Sequence, residues 1–147
     1  MAPLRLSIVT AEQPVLDRDD VQRVIVPTTE GQITVLPSHA ALMASLDIGE
    51  LIAIGSDGEE DIVVHGGFIQ VLHDEVTVLA DAAERVDEID EERAEAARER
   101  ARHRLEGDVA ADEIVDLARA RIALARAETR IRIRRRRRGA GAPPAPR

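Results

Sequence analysis

The sequence predicts two structural parts: an N-terminal antiparallel β-sandwich or barrel, then a C-terminal antiparallel hairpin of two α-helices with a disordered basic tail. Up to about residue 84, short apolar segments alternate in steps of two and are separated by turn residues, which is typical of antiparallel sheets. Farther along, the apolar period lengthens to about 3.6 residues, which is typical of amphipathic helices. We therefore place the β-domain at 1–84, the hairpin at 85–136 and the tail at 137–147.

Strands are predicted where alternation coincides with β-branched residues. The Asp57-Gly58 pair is a typical turn between two strands of a hairpin. Gly66 and Gly67 interrupt one strand, which indicates either a bulge or the close approach of another backbone. The predicted strands are Leu4–Val9, Val21–Pro27, Gln32–Pro37, Leu51–Gly55, Asp61–Leu72 and Glu75–Ala80.

The first helix is expected to have Asp87 as its N-cap and to end at Gly107, and the second is expected to start near Asp112. Acidic residues fill the first turn of the first helix, where the helix dipole favours negative charge. The predicted apolar stripes consist largely of alanine: Ala94, Ala97, Ala101 and Leu105, and then Leu117, Ala120, Leu124, Ala127 and Ile131.

Few residues separate these helices, so they are expected to pack as an antiparallel hairpin. A seam made mainly of alanine lets two helices approach closely but buries little apolar area. The hairpin should therefore be marginal by itself, and an element of marginal stability is one that can move.

The charge of the chain is distributed unevenly. All 20 basic residues are arginine. Residues 1–100 contain 7 Arg and 22 Asp or Glu, a balance of −15, whereas residues 101–147 contain 13 Arg and 6 acids, a balance of +7; together these make the net charge of −8. The C-terminal part therefore faces a different partner or environment from the β-domain.

Several classes of function are disfavoured by composition. The chain has no cysteine, which excludes disulfide and thiolate chemistry and fits a reducing cytosol. Its four histidines are scattered without the spacing of metal ligands, so we predict no metal site. No glycine-rich phosphate loop and no catalytic triad pattern is present, so we predict no enzyme. No apolar stretch is long enough for a membrane span or a signal peptide.

The arginine-rich tail leaves two further classes open. It could add counterion-release affinity for nucleic acid, but one Phe with no Tyr or Trp leaves almost no stacking surface, so we predict no nucleic-acid partner. It could also favour an anionic lipid surface, although no apolar face accompanies it.

Three segments resemble the signature blocks of the epsilon subunit of F-type ATP synthase. They are VPTTEGQITVLPSHAALMASLDIGEL (26–51), VHGGFIQV (64–71) and VTVLADAAERVDEIDEERA (76–94), and their order and spacing match as well. The chain departs from the family pattern at Thr34, where Gly is common, at Ala41, where Pro is common, and in its arginine- and proline-rich end. The resemblance covers residues 4 to about 133.

The resemblance implies a non-catalytic rotor subunit that needs no cofactor. Its β-domain would join the gamma subunit in the central stalk and sit on the proteolipid c ring, at the cytoplasmic face of the bacterial cell membrane. Its hairpin would lie folded or rise toward the alpha and beta subunits of the catalytic head and inhibit ATP hydrolysis. Gln32 and His39 are then candidate ring contacts, although Pro37 and His39 are equally consistent with the shaping of a turn. Candidate contacts to the head are Arg130, Arg132 and Arg134.

Some bacterial members of this family bind ATP, a candidate regulatory ligand here, through a motif that IDEERA satisfies. Four arginines from two helices would suit a polyphosphate, because guanidinium groups bind phosphate oxygens in pairs. The alternative is that Asp90 and Arg93 form an ordinary helix-start pair and that the arginines are a solvated face. The residues that resemble the family's nucleotide contacts are Glu84, Ile89, Asp90, Arg93, Ala94, Arg100, Arg126 and Arg130.

Overall fold

The computed structural model describes residues 2–107 and 114–140. The chain divides into two compact units, Met1–Arg85 and Val86–Arg147. The first unit contains the strands and the second contains the helices.

Seven strands form the first unit, and their hydrogen-bonded order is β1-β6-β5-β4-β2-β3, with β7 paired to β5. Because β1 also pairs with β2, five of the strands close on themselves. Every pairing is antiparallel except the parallel pair β1–β6. The predicted sandwich or barrel is confirmed. The strands are β1 Leu4–Val9, β2 Pro14–Thr28, β3 Gly31–Val35, β4 Leu42–Gly55, β5 Gly58–Leu72, β6 Glu75–Ala80 and β7 Ala83–Arg85.

Two strands are much longer than predicted. The segment Val21–Pro27 is only the second half of β2, whose first half pairs with β1. This first half carries a run of charged residues, which hides its strand character. Likewise, Leu51–Gly55 is only the end of β4, which pairs with β5 along its whole length despite small and polar residues near its start. Cross-strand pairing overrides the weak local propensity in both places.

The core of this unit lies between the inward faces of the closed strands. Alternate residues of β1, namely Leu4, Leu6 and Ile8, are fully buried. Gly67 has a φ of 115°, and a Cβ built on it would lie 2.1 Å from the carbonyl oxygen of Leu79. Since Gly67 remains paired in register with Ala80, the two glycines mark a close backbone approach, one of the two predicted alternatives.

The second unit begins with a 3₁₀ turn, Val86–Glu88, followed by α1, Glu91–Glu106, and α2, Ile114–Ala140. The prediction that Asp87 caps the first helix is wrong, because Asp87 lies within the 3₁₀ turn. Asp90 is the N-cap: its backbone is extended, with φ −83° and ψ 105°, and its carboxylate accepts a hydrogen bond from the backbone N–H of Arg93 at 3.1 Å. The predicted end of α1 at Gly107 is confirmed, since its N–H donates to the carbonyl of His103.

The two helices pack against each other along the predicted alanine-rich seam. They run antiparallel, because Arg135 near the end of α2 contacts Glu91 at the start of α1. Helix α2 continues to Ala140, beyond residue 137 where we expected the tail to start, and Asp112 and residues 141–147 lie outside the described residues. Buried seam residues are Ala94, Ala101, Ala120, Ala127 and Ile131, while Ala97, Leu105, Leu117 and Leu124 are partly buried.

One ion pair on β2 is hydrogen-bonded to the turn between β4 and β5. Arg18 donates to both carboxylate oxygens of Asp20, at 2.9 and 2.7 Å, and the hydroxyl of Ser56 donates to the same carboxylate at 2.7 Å. The hydrogen bond from Arg18, together with that from Ser56, holds the pKa of Asp20 well below its usual range.

A group whose pKa is lowered on folding stabilises the folded state above its unfolded pKa, about 3.9 for Asp, and loses that effect as the pH falls toward the folded value. Asp20→Asn should therefore lower the melting temperature of the β-unit at pH 7, and the difference from the parent should shrink as the pH falls below about 3.9. Thermal melts followed by circular dichroism test this. Asp19→Asn is the control, because Asp19 is exposed; an equal loss in both variants at pH 7 would contradict the role of this ion pair.

Candidate functional site

The candidate nucleotide residues of the second unit fall into two groups. Ile89 and Ala94 are buried, and the Asp90 carboxylate caps the backbone of α1. These three therefore shape the start of the helix, and their role in nucleotide binding stays a prediction. Arg93 and Arg100 on α1 are exposed, and Arg126 and Arg130 on α2 are partly buried.

All four arginines lie on one side of the hairpin. Arg93 and Arg100 directly precede the buried alanines at 94 and 101 on α1, and Arg126 and Arg130 directly precede the buried residues at 127 and 131 on α2. Successive residues of an α-helix are rotated by about 100° about the helix axis. Each of the four arginines therefore projects to the same side of the seam residue that follows it. In an antiparallel pair, the second helix runs in the opposite direction and also faces the first. These two reversals cancel, so residues that precede the seam residues lie on the same side of the hairpin in both helices. We call this surface the arginine side, defined by Arg93, Arg100, Arg126 and Arg130.

The contacts of Arg135 fix the register along the hairpin. Its guanidinium bridges Glu91 and Glu95, so Arg135 lies at about the level of residue 93. An α-helix rises about 1.5 Å per residue, so Arg130 and Arg126 lie roughly 7 and 14 Å from Arg135 along the hairpin axis, toward the C-terminal end of α1. The level of Arg100 falls between them. The arginine side is therefore a row of positive charge that both helices supply.

The two sides of the seam differ in charge. Glu91 and Glu95 project to the side opposite the arginine side, where they pair with Arg135. On the arginine side, the Nε–H of Arg126 is buried and has no hydrogen-bond partner among the described residues. A buried donor without an acceptor is costly, and an anion on this side would supply one.

The clustering of Arg135 with Glu91 and Glu95 was not predicted. The available signal was the i, i+4 spacing of the two glutamates on one face, but their partner depends on the register of the hairpin.

The predicted head contacts differ in environment: Arg132 is exposed, whereas Arg134 donates from its terminal nitrogen to the carbonyl of Val86 at 3.3 Å.

Glu84 belongs to the first unit, where it lies on β7. Its Oε1 is 3.4 Å from Nε2 of His65, a side chain that is fully buried. The Nδ1 of the same histidine is also buried, without a partner among the described residues. In this structure Glu84 therefore pairs with a buried histidine of the neighbouring strand.

The two candidate ring contacts lie at opposite ends of β3. Gln32 is the second residue of this strand and is exposed. His39 follows the strand in a turn, in which its N–H donates to the carbonyl of Leu36 at 3.1 Å and its Nδ1 lies 2.8 Å from the carbonyl oxygen of Ala40. His39 therefore lies in a turn, which fits the turn-shaping alternative, and its contact with the ring stays a prediction.

An apolar surface covers the outer face of β4, β5 and β6. Met43, Phe68 and Leu79 are 71 %, 56 % and 55 % exposed. Phe68 is paired directly with Leu79, and Met43 is paired with Gln70 on the same face as Phe68. We call these three residues the apolar face. Contiguous exposed apolar residues usually mark a binding surface.

Within residues 2–107 and 114–140, no group of three or more His, Asp or Glu residues is arranged to hold a metal ion. Among the helices of this described part, none combines the length and the apolar character that crossing a membrane requires.

Two family models match the chain. The first, described as the ATP synthase Delta/Epsilon chain beta-sandwich domain, matches residues 3–86, and the second, the long alpha-helix domain of the same chain, matches residues 87–134. The ATP synthase epsilon chain of Roseiflexus sp. (strain RS-1) is 50% identical over 95 residues, which cover 65% of this chain and 68% of that one. The epsilon chain of Dehalococcoides mccartyi (strain CBDB1) is 44% identical over 127 residues, covering 83% and 90%.

Solved structures agree with this relationship. A chain in the mitochondrial ATP synthase of Euglena gracilis, a structure of OSCP, F1 and c-ring, superposes with a TM-score of 0.74 at 27% identity, covering 88% of this chain and 79% of that chain. A chain of the central stalk and c-ring of the Tetrahymena thermophila enzyme has the same fold, with a TM-score of 0.60 at 14% identity over 89% and 96%. The chain therefore belongs to the epsilon-chain family of F-type ATP synthase, a non-catalytic subunit of that complex.

Proposed function

We propose that this subunit works in the rotor, where it couples the proteolipid ring to the catalytic head during ion-driven ATP synthesis and inhibits ATP hydrolysis through its hairpin. We further propose that ATP regulates the hairpin by binding to the arginine side. The observation that carries the regulatory part is the convergence of four arginines from two helices on one side of a thin seam. The two solved structures that include a similar chain also include the c-ring, and one is a structure of the central stalk, which supports the rotor assignment.

The β-unit would dock on the gamma subunit through the apolar face. Met43, Phe68 and Leu79 leave a large aromatic and aliphatic surface in water, and burial of such anchors is the main source of affinity in protein interfaces. Gln32 and His39 would face the proteolipid ring from the two ends of β3. In this arrangement the chain is peripheral to the cell membrane, on the cytoplasmic side, and is held there by the complex.

ATP would bind only to the closed hairpin, because separation of the helices separates Arg93 and Arg100 from Arg126 and Arg130. A ligand that binds one state stabilises that state by RT ln(1 + [L]/Kd), about 2.7 kcal/mol at a hundredfold excess over Kd. This shift is enough to move a near-balanced hairpin almost entirely to the closed form. Abundant ATP would therefore keep the hairpin away from the head and leave the enzyme uninhibited.

When ATP is scarce, the hairpin would open and rise toward the alpha and beta subunits. Arg130, Arg132 and Arg134 would then meet an acidic surface of the head. Arg130 belongs both to this set and to the arginine side, so ATP and the head would compete for it. This competition gives a physical reason for the opposition between nucleotide binding and inhibition.

Docking is tested by placing a charge in the apolar face. Phe68→Asp should prevent stable incorporation into the synthase, because loss of a buried aromatic anchor costs about 2 kcal/mol or more and a carboxylate adds a desolvation penalty. Co-purification with a tagged gamma subunit measures this. Ile122→Asp is the matched control, since Ile122 is also exposed and apolar but lies on α2; normal incorporation of the Phe68 variant would contradict this docking surface.

Nucleotide binding is tested by calorimetry on the full chain. ATP should bind, and Arg126→Gln should raise Kd about 10-fold to 150-fold, because a hydrogen bond to a charged group contributes about 1.5 to 3 kcal/mol. Arg132→Gln should change Kd little, since Arg132 follows the seam residue Ile131 and projects away from the arginine side. Absence of heat at millimolar ATP, or equal losses in both variants, would show that the arginine side is only a solvated face.

The division of labour between the two units is tested by truncation. A chain that ends at Arg85 contains the whole strand unit and its core, so it should remain folded and still join the synthase. The resulting complex should hydrolyse ATP faster than the complex with the full chain, because it lacks the hairpin. A fragment that is unfolded by circular dichroism, or a complex whose hydrolysis stays inhibited, would contradict this assignment.

A further inference from the structure

We propose that Arg134 and Arg135 form a clasp with Val86, Glu91 and Glu95 that holds the hairpin closed without nucleotide, and that this clasp largely determines how often the hairpin opens. The inference deepens the proposed function, because it rests on the separation of α1 from α2. It assigns a regulatory contact to residues that lie outside the nucleotide motif.

Arg135 is the stronger half of the clasp. Its Nε donates to Oε1 of Glu91 at 2.7 Å, and its terminal nitrogen donates to Oε1 of Glu95. One guanidinium thus joins two carboxylates that lie one turn apart on α1. The Glu91 side chain is only 18 % exposed and that of Arg135 is 53 % exposed, so one partner of this pair is largely shielded from solvent while the other stays open to salt. The hydrogen bond that Arg135 donates to Glu91 is also the main reason that the pKa of Arg135 is raised.

Arg134 supplies the other half. Its terminal nitrogen donates to the carbonyl oxygen of Val86, in the 3₁₀ turn that precedes α1. Neighbouring residues on a helix point about 100° apart, so Arg134 and Arg135 reach α1 from the two sides of the seam. The end of α2 is therefore fastened to the beginning of the hairpin from both sides.

The clasp joins parts of the chain that are 40 to 48 residues apart in sequence, so all of its contacts must break when α2 leaves α1. The seam contributes mainly small side chains, which bury little apolar area per residue. In addition, residues 130–138 contain seven arginines, whose mutual repulsion disfavours the end of α2 unless nearby carboxylates offset it. Glu91 and Glu95 supply this compensation only in the closed hairpin.

The clasp also occupies Arg135 while the hairpin is closed. An acidic surface on a partner would have to displace Glu91 and Glu95 to pair with this guanidinium. Contact with such a surface and closure of the hairpin are therefore mutually exclusive at Arg135. Because charge pairs near the surface are screened by ions, high salt should weaken the clasp.

Hydrogen exchange on the full chain, without nucleotide, measures hairpin opening even when the open form is rare. Arg135→Gln and the double variant Glu91→Gln with Glu95→Gln should each lower the protection of the slowest amides of α1 about 3-fold to 10-fold. The α1 amides of the variant with all three changes should be no less protected than those of the single or the double variant, since the changes remove the same interaction. Added salt should lower protection in the parent chain and much less in these variants.

Arg132→Gln and Glu92→Gln are matched controls, because both side chains are exposed neighbours of the clasp; neither should lower protection. Amides of the β-unit monitor the fold and should also be unchanged. Parent-like protection in Arg135→Gln, equal losses in the controls, or additive losses in the triple variant would overturn the clasp. Since no nucleotide is present, failure of ATP binding in calorimetry would leave this result intact, and the reverse also holds.

Discussion

The hairpin depends on a seam of alanines. Ala94 and Ala101 on α1 and Ala120 and Ala127 on α2 are all buried, and side chains of this size let two helix backbones approach closely while burying little area. Close approach brings charged residues on the two flanks of the seam within reach of one another. In the mechanism that we propose, charges beside the seam would therefore largely determine the balance between closed and open forms, and ligands, partners and salt would change it.

The two flanks offer different chemistry. On one flank, Arg135 is already neutralised by Glu91 and Glu95, which favours closure in the absence of any ligand. On the other, the buried Nε–H of Arg126 has no acceptor within the part of the chain that the structure describes, and an anion would supply one. A closed state that is held by an internal ion pair and strengthened by an external anion can be adjusted over a wide range of populations.

Much of the fold was predictable from sequence, because the alternation in β1 and β6 and the alanine stripes are local signals. The extra lengths of β2 and β4 were not predictable from local patterns. In β2, the charged residues Asp17, Arg18 and Asp19 conceal a strand that forms through its pairing with β1. The cap at Asp90 was misplaced because several acidic residues precede α1 and only the observed backbone geometry selects one. The four candidate arginines were chosen by resemblance to the family's nucleotide contacts, whereas the bridge made by Arg135 depends on the register between the helices.

We propose that ATP shifts this hairpin between closed and open forms, and a distance measured between α1 and α2 would report that shift. The chain has no cysteine, so cysteines introduced at the exposed positions Ala96 and Ala123 can carry two spin labels in the subunit reconstituted into the synthase. We expect a single short distance with excess ATP and a second, longer distance after ATP is removed. The same distribution under both conditions, or a longer distance with ATP, would contradict it.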